Sequence, residues 1–580
     1  MSLAENSQSL YTLFMKKSLS ELLNDFVYER VSADGTTADT MLTNPEITSL
    51  AFDSRDVSAG TLFFALPGTH TTGNVFIPAA IRAGAAAVVF QGEFDEKIKA
   101  EIQTALGERK ESVPFVRVAD SRFVMAPISA SFYDNPSKKL IIIGVTGTEG
   151  KSSTVSFVWQ LLRLCGKKAG FISTVQYSLG GEAIANPQHQ TTPEAPIIQH
   201  HLYEMLCAGC EYAVVETSSH GLSLRLNRTG CIDFDCGIFM NVTLEHLEFH
   251  KTFEQYRDDK ANLFRKLDQC DHEKLIGGKK TTVPAFGIVN LEDVSAPYFI
   301  KATKHPVLGF TTEGKAGKSA GETSAEAKPL PPIPDGVPYL LARNIASARF
   351  GLNFTLTEPN VVDDHAKPVQ TPVIHIRSSL PGAFNAYNIM AAMLAVSRLT
   401  GTELGTLAPL VSKLVPVKGR MTVIDKGQPF ELIVDYAHTP SSFETIFPPV
   451  RRRCSGKMIA LFGSGGERDT EKRPLQGEVA ARFCDVVILT DEDPRGEDSV
   501  ALLKQIAVGA EKAGKVLGKD LFITPDRPAA IREALQMAKK DDIVLLLGKS
   551  HENSIIYKDR VMPYDEIGEA EKALAEMGYN

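Results

Sequence analysis

The chain has 580 residues, room for roughly three or four domains. Hydrophobic residues make up 43% and charged residues 23%, the proportions of an ordinary globular protein. With 62 basic and 70 acidic residues the net charge is −8, which excludes the basic footprint of a nucleic-acid binder and a polybasic membrane patch.

No apolar run approaches the roughly eighteen residues of a spanning helix. The start, MSLAENSQSLYTLFMKKSLSELL, lacks the pattern of a secretory signal. Eight scattered cysteines are too dilute for a disulfide scaffold, so a reduced, cytoplasmic protein is expected. In chain order, residues 1–138 read as one module. There FIPAAIRAGAAAVVF gives a helix, a glycine stop and a buried strand at Ala86–Phe90. Pro136 and Lys138–Lys139 mark its end. From Leu140 a strand–loop–helix pattern repeats, beginning with LIIIGV, an apolar run suited to a strand buried on both faces. Further strands are expected at Tyr212–Val215, Gly237–Met240 and Phe286–Val289. Residues 311–337 lack aromatics and are rich in Gly, Ala, Lys, Glu and Pro; they read as a flexible surface insertion. After Gly419–Arg420 a second series begins, with strands at Leu432–Val434, Met458–Phe462, Val486–Leu489 and Ile543–Leu547. Domains are therefore expected at 1–138, 139–419 and 420–580.

The strongest motif is GVTGTEGKSS, Gly144–Ser153, between an expected strand and helix. Glycines at 147 and 150 allow backbone N–H groups to approach phosphate closely, and the helix N-terminus adds its dipole. Lys151 can reach terminal phosphates and Ser152 can ligate magnesium. Val145 stands where the strict Walker pattern has glycine, so the loop is a variant.

In an open parallel sheet, ligands bind beyond the carboxyl ends of the strands. The residues there are polar in this chain. ETSSHG supplies Glu216, suited to magnesium, and Ser218. NVTLEHLEFH contains His246, and YRDDKANLF contains Lys260, which by itself also reads as a surface helix lysine. QTTPEAP holds Thr191 and Thr192. Farther on, IVDYAHTP places Asp435 and His438, ALFGSGGERDTEKRP places Gly463–Gly466, ILTDEDPRGED places Asp493 and Arg495, and LLLGKSHEN places Gly548 and Glu552. Cys207 and Cys210 form a CxxC without a second pair at zinc spacing, and read as incidental.

In their order these motifs, with TTPE, DKANLF, LPGAFNAYN, GRM and the N-terminal DSRDVSAGTLFFALPG, resemble the Mur ligase family, most closely its tripeptide-synthetase branch. The resemblance spans nearly the whole chain, apart from about the first 40 residues and the insertion. It implies an α/β fold of three domains: an N-terminal UDP-binding domain, a central ATPase with a parallel sheet, and a C-terminal Rossmann-like domain for the incoming amino acid. It implies an ATP- and Mg2+-dependent ligase that adds a diamino acid to the D-Glu side-chain carboxylate of UDP-N-acetylmuramoyl-L-Ala-D-Glu through an acyl phosphate. Nucleic-acid and membrane partners are not implied, and a monomer is the expectation. By resemblance, Gly147, Thr148, Gly150, Lys151, Ser152, Ser153, Asn385, Asn388, Arg420, Asp435 and His438 contact ATP. Ser152, Glu216, His246 and Lys260, the last as a carbamate, hold magnesium, with Lys151, His246 and Lys260 as the catalytic set. Ser54, Arg55, Thr191, Thr192, Ser218 and an Arg of the 225–228 segment, taken as Arg225 with Arg228 the alternative, hold the UDP-muramoyl peptide. Asp493, Arg495, Gly548 and Glu552 receive the amino acid. Arg495 suits the distal carboxylate of meso-diaminopimelate and Asp493 suits the distal amine of lysine or ornithine, so the diamino acid stays open. Departures from the family pattern are Glu149 for Asn, Glu245–His250 for Asp-His-Leu-Asp-Tyr-His, and Ser550 for Gly. The alternatives are another ligase of the superfamily, D-Ala-D-Ala-adding or folylpolyglutamate-synthetase-like, and a non-catalytic nucleotide-binding regulator.

Overall fold

The computed structural model describes residues 15–36, 43–68, 72–107, 112–186, 190–243, 247–313, 336–348, 351–359 and 371–579. Three large sheets, each with helices on both faces, follow one another along the chain.

The first sheet runs, in spatial order, Glu29–Val31, Phe115–Arg117, Ala87–Phe90, Thr61–Phe64, Ser49–Ala51. All pairs are parallel except that of Glu29–Val31. Thr61–Phe64 and Ala87–Phe90 are buried throughout, as strands covered on both faces must be.

The central sheet has eleven strands. Its middle is Tyr212–Glu216, Ile141–Thr146, Cys236–Phe239, Phe286–Asn290 and Val307–Thr312, all parallel. Ile141–Thr146, the first of these in the chain, lies between Tyr212–Glu216 and Cys236–Phe239. The chain therefore winds outward to both sides of it, and the loop after Thr146 opens where ligands bind in such sheets. Antiparallel strands extend both edges. Two apolar layers cover the faces. The helix Lys151–Leu164 packs in one, against Asn385–Thr400; Phe253–Leu267 packs in the other. Trp159 lies in the first layer, 7% exposed, and its indole N–H donates to the Ala169 carbonyl at 2.9 Å. Truncating it to alanine costs about 3–5 kcal/mol.

The third sheet runs Thr422–Ile424, Glu431–Asp435, Ile543–Leu547, Met458–Phe462, Val486–Leu489, Leu521–Ile523, parallel after its first pair. It too carries an apolar layer on each face.

The expected strands are present within a residue or two of their expected ends. The insertion expected at 311–337 begins later than its composition suggests. Thr311 and Thr312 complete the strand Val307–Thr312 and are buried, because Glu292 accepts from the Thr312 N–H at 2.7 Å and from its hydroxyl at 2.6 Å. Val337 is buried as well, and residues 314–335 lie outside the described residues.

Candidate functional site

A cleft of about 1040 Å³ opens between the carboxyl ends of the central and third sheets. Its walls carry Thr148–Ser153, Glu216, Ser218 and Arg228 from the central unit. Asp435, His438, Glu492, Asp493, Arg495 and Glu552 come from the third, and Arg420 from the segment joining them.

The phosphate loop is shaped by close packing. Gly150 caps the helix Lys151–Leu164 with φ +80°, and a Cβ there would come 2.8 Å from Asn388 Oδ1. Any side chain is excluded twice, by conformation and by space. Gly144 serves packing instead: its Cβ would lie 2.4 Å from Leu263 of Phe253–Leu267. The N–H groups of Thr148 and Glu149 donate to Asn241 Oδ1 at 3.0 and 2.8 Å, which folds the loop back on the next strand. The first-turn N–H groups of Lys151–Leu164, which no helix can satisfy internally, face the anion side. Lys151 Nζ donates to the Thr148 carbonyl at 2.8 Å across the loop, and Ser152 Oγ donates to Glu216 Oε1 at 3.1 Å. Thr174 fixes that carboxylate through its N–H (2.8 Å) and hydroxyl (3.0 Å). Asn388 accepts from Thr154 Oγ1 at 3.2 Å and donates to Asn385 Oδ1 at 3.0 Å; Asn388 lines the cleft and Asn385 stands behind it.

Behind the loop, Lys260 is 2% exposed, and its Nζ donates to the Gly147 carbonyl at 2.8 Å. The surface-lysine reading of this residue is thereby corrected: Phe253–Leu267 turns it inward, beneath the phosphate loop. His246 lies outside the described residues. His250 bridges two site segments, with Nδ1 2.8 Å from Asp259 Oδ2 and Nε2 2.9 Å from Ser219 Oγ.

Thr192 Oγ1 donates to the Glu216 carbonyl at 3.0 Å and accepts from the Ser218 N–H at 2.8 Å, so these strand-end loops are one hydrogen-bonded unit, with Thr191 on the cleft wall. Of the two candidate arginines, Arg225 stacks its guanidinium 3.9 Å from the Phe249 ring and is not among the residues that line the cleft. Asn227, at φ +51°, turns the chain so that Arg228 faces the cleft, donating to Glu194 Oε1 at 3.1 Å and the Thr192 carbonyl at 3.0 Å. Ser54 and Arg55 sit in a short turn of the first unit, away from the cleft. Arg55 is paired with Asp53 and its side chain is 86% exposed.

Arg420 joins the two walls. Its guanidinium lies over the Tyr436 ring at 4.7 Å and reaches Ser152 Oγ at 3.4 Å. Asp435 accepts from the Met421 N–H at 2.7 Å and the Ala437 N–H at 2.8 Å; burial pushes its carboxyl above the usual range, against the pull of Arg420. His438 Nδ1 is 2.9 Å from the Tyr436 carbonyl.

Asp493 lines the cleft. Its Oδ1 accepts from Lys549 Nζ and from the Ile556 N–H, both at 2.9 Å, and Lys549 also pairs with Glu552. Glu492 lines the same cleft. Gly548 (φ +96°) packs beneath it, where a Cβ would meet Glu492 Oε2 at 2.8 Å. Burial pushes the Glu492 carboxyl up, against Lys472 and Lys549. Arg420 Nε, Arg495 Nε and Glu492 Oε2 are buried without a hydrogen-bond partner among the described residues. An unpaired buried polar group costs about 1–3 kcal/mol, so a ligand offering acceptors to the arginines and a donor to Glu492 is favoured here.

The sequence matches the Mur ligase middle domain at residues 145–396, the Mur ligase glutamate ligase domain at 419–550 and the Mur ligase family catalytic domain at 46–133. It is 50% identical over 542 residues to the UDP-N-acetylmuramyl-tripeptide synthetase of Treponema denticola, covering 91% of this chain and 94% of that protein. The chain belongs to the Mur ligase family. This Mur ligase is also 48% identical over 532 residues to the UDP-N-acetylmuramyl-tripeptide synthetase of Treponema pallidum, covering 91% and 94%. Its fold is that of a solved UDP-N-acetylmuramoyl-L-alanyl-D-glutamate–2,6-diaminopimelate ligase, with TM-score 0.55, 24% identity and coverage of 98% of this chain and 100% of that one. The three units of this Mur ligase correspond in order to the three matched domains.

Two departures from the family pattern have a structural reading in this Mur ligase. Ser550 stands at φ +47°, a conformation that favours the usual glycine, and its hydroxyl donates to the Gly419 carbonyl at 2.5 Å. The serine thereby ties the Lys549 loop to the segment that carries Arg420. Glu149 lines the cleft beside Lys151. Asn290, Glu292 and Asp293 on the central wall were missed in the sequence, although they follow the apolar run Phe286–Val289 as the strand-end rule requires.

Proposed function

We propose that this protein is a tripeptide synthetase of peptidoglycan precursor synthesis. It uses ATP to join a diamino acid to the D-Glu side-chain carboxylate of UDP-N-acetylmuramoyl-L-Ala-D-Glu. The observation that carries this reading is that both sets of groups line one cleft. A phosphate loop forms one wall; on the other stand Arg495 and Glu492, each with an open polar atom suited to an amino acid.

Phosphoryl transfer to a carboxylate gathers negative oxygens, so catalysis is chiefly positioning and charge neutralisation. Lys151 and the helix N-terminus hold the terminal phosphates. Arg420 moves with the third unit and completes the site on the phosphate side, which couples closure to chemistry. Asn388, Asp435 and His438 line the nucleotide side. Arg228, Thr191, Thr192 and Ser218 hold the muramoyl peptide, with Ser54 and Arg55 retained for its uridine end. Glu492 receives the distal ammonium of the diamino acid, Arg495 a carboxylate, and Asp493, Gly548 and Glu552 frame them.

The donor set fits magnesium: Ser152 Oγ and Glu216 Oε1 are hard oxygens 3.1 Å apart at the phosphate loop. Bound there, with His246 and a carbamate on Lys260 for a second ion, magnesium supplies the charge that neutralises the phosphate oxygens. A carbamate on Lys260 keeps one N–H, so its bond to the Gly147 carbonyl is compatible with the modification. We retain the domain limits 1–138, 139–419 and 420–580. No helix among the described residues is long and apolar enough to cross a membrane. ATP and a UDP-linked precursor are cytoplasmic reactants, and we place the enzyme there.

Phosphate release from ATP is measured with UDP-N-acetylmuramoyl-L-Ala-D-Glu and, in turn, meso-diaminopimelate, L-lysine and L-ornithine. Release with at least one of them is expected. Failure with all three by a folded protein, or turnover with a folate or with D-Ala-D-Ala and a tripeptide precursor instead, overturns the reading.

A further inference from the structure

Outside the cleft, the helix Ala195–Cys207 presents His200, His201 and Glu204 on one turn. Glu204 stands four residues after His200 and three after His201, so its carboxylate leans back between the two imidazoles. His201 Nδ1 is 3.4 Å from Glu204 Oε2, and His200 Nε2 is 3.8 Å from Glu204 Oε1. One ligand atom from each of the three residues lies within 4.8 Å of the other two.

These separations are long for hydrogen bonds, which centre near 2.7–3.2 Å. They are close to the edge of a tetrahedral site, roughly 3.4 Å for bonds of 2.0–2.2 Å. His200 Nε2 is buried and has no hydrogen-bond partner among the described residues. Both rings are held in place by stacking, His200 on Tyr133 at 5.3 Å and His201 on Tyr177 at 5.1 Å, so little ordering is left for a ligand to impose.

We propose that His200, His201 and Glu204 form a binding site for a divalent d-block cation of the Zn2+ class, separate from the magnesium sites of the cleft. Two imidazoles and one carboxylate are a borderline donor set that selects Zn2+ or Co2+ over Mg2+, with the fourth position open to water. The site lies at the seam of the first two units. Tyr133 ends a helix of the first unit, Ser121–Phe132, whose Arg122 reaches Glu194 at 3.3 Å, and the chain from Thr192 and Glu194 leads directly into Ala195–Cys207. A bound cation therefore stiffens the helix that delivers those residues to the cleft.

The test uses full-length protein stripped with a chelator and titrated with Co2+ in saturating Mg2+. A visible d–d band that saturates at one equivalent, is displaced by Zn2+, and comes with a rise in melting temperature is expected. H201Q and E204Q should each weaken binding at least about tenfold and abolish the temperature rise, with the metal-free fold checked by circular dichroism. C207S should leave the band unchanged. Absence of the band at stoichiometric Co2+ overturns the proposal, as does a band unaltered in H201Q and E204Q. A band lost in C207S assigns the metal to the Cys207–Cys210 pair and also overturns it.

Discussion

At the phosphate loop itself, functional groups are held by neutral partners: the Asn241 amide folds the loop, Asn388 packs under Gly150, and Thr174 fixes Glu216. On the facing side they are held by other charges, with Lys549 between Asp493 and Glu552. The first arrangement is stiff, because backbone positions and short amides have few alternatives. The second is adjustable, because each charge can exchange a protein partner for a substrate group of the same sign. A wall that handles the same nucleotide at every turnover suits the first. A wall that must admit, orient and release a zwitterionic amino acid suits the second.

The largest effect should come from breaking the rigid wall. Lys151→Ala should lower kcat by at least about 10²–10³-fold in the phosphate-release assay, with the fold intact by circular dichroism. Arg420→Ala removes a side chain that touches both walls, at Ser152 and at Tyr436. A loss of about 10–100-fold in kcat/KM for ATP is expected, in line with the worth of a charged hydrogen bond.

The facing wall should respond in binding rather than in chemistry. Glu492→Gln should raise KM for the diamino acid about tenfold and leave KM for ATP unchanged. Asp493→Asn should act mainly on stability, since it breaks the Lys549 pair. Glu492 also gives a pH signature. Its carboxyl is raised by burial, so it protonates earlier than an ordinary glutamate as pH falls, and KM for the amino acid should rise on the acid side. That limb should flatten in Glu492→Gln. An unchanged acid limb there would return the amine to Asp493.

The smallest effect tests whether charge-held structure in the central unit behaves like the facing wall. His272 sits between Asp235 (2.9 Å) and the Leu267 carbonyl (2.7 Å), with Lys274 on the same Asp235. Burial works against the imidazolium, but these bonds carry its pKa up to about 10. A raised histidine contributes its stability fully below the unfolded value near 6.5 and loses it as pH rises toward 10. Urea unfolding should therefore show stability falling over that interval, by about a kcal/mol or more, and His272→Gln should remove the slope.

The stiff wall was legible in the sequence and the adjustable one only in part. A glycine that must take φ +80° against Asn388, or a lysine directly after it, leaves a local signature that spacing reveals. The strands showed for the same reason, since a run buried on both faces has to be continuously apolar. Arg225 was preferred to Arg228 because the turn at Asn227 depends on a φ that the string of residues does not display. The pairing of Asp493 with Lys549, 56 positions later in the chain, is a contact that the string of residues does not display. Asn290–Asp293 carried the right signal and needed only the strand-end rule applied once more.

The central claim is that one cleft joins a phosphorylated D-Glu carboxylate to an amine brought by the facing wall. It is tested most directly by labelling that carboxylate with heavy oxygen and following the label during turnover. One labelled oxygen should appear in each phosphate released, in wild type and in Glu492→Gln alike. Tripeptide formed with unlabelled phosphate would contradict the acyl-phosphate route and the division of labour between the two walls.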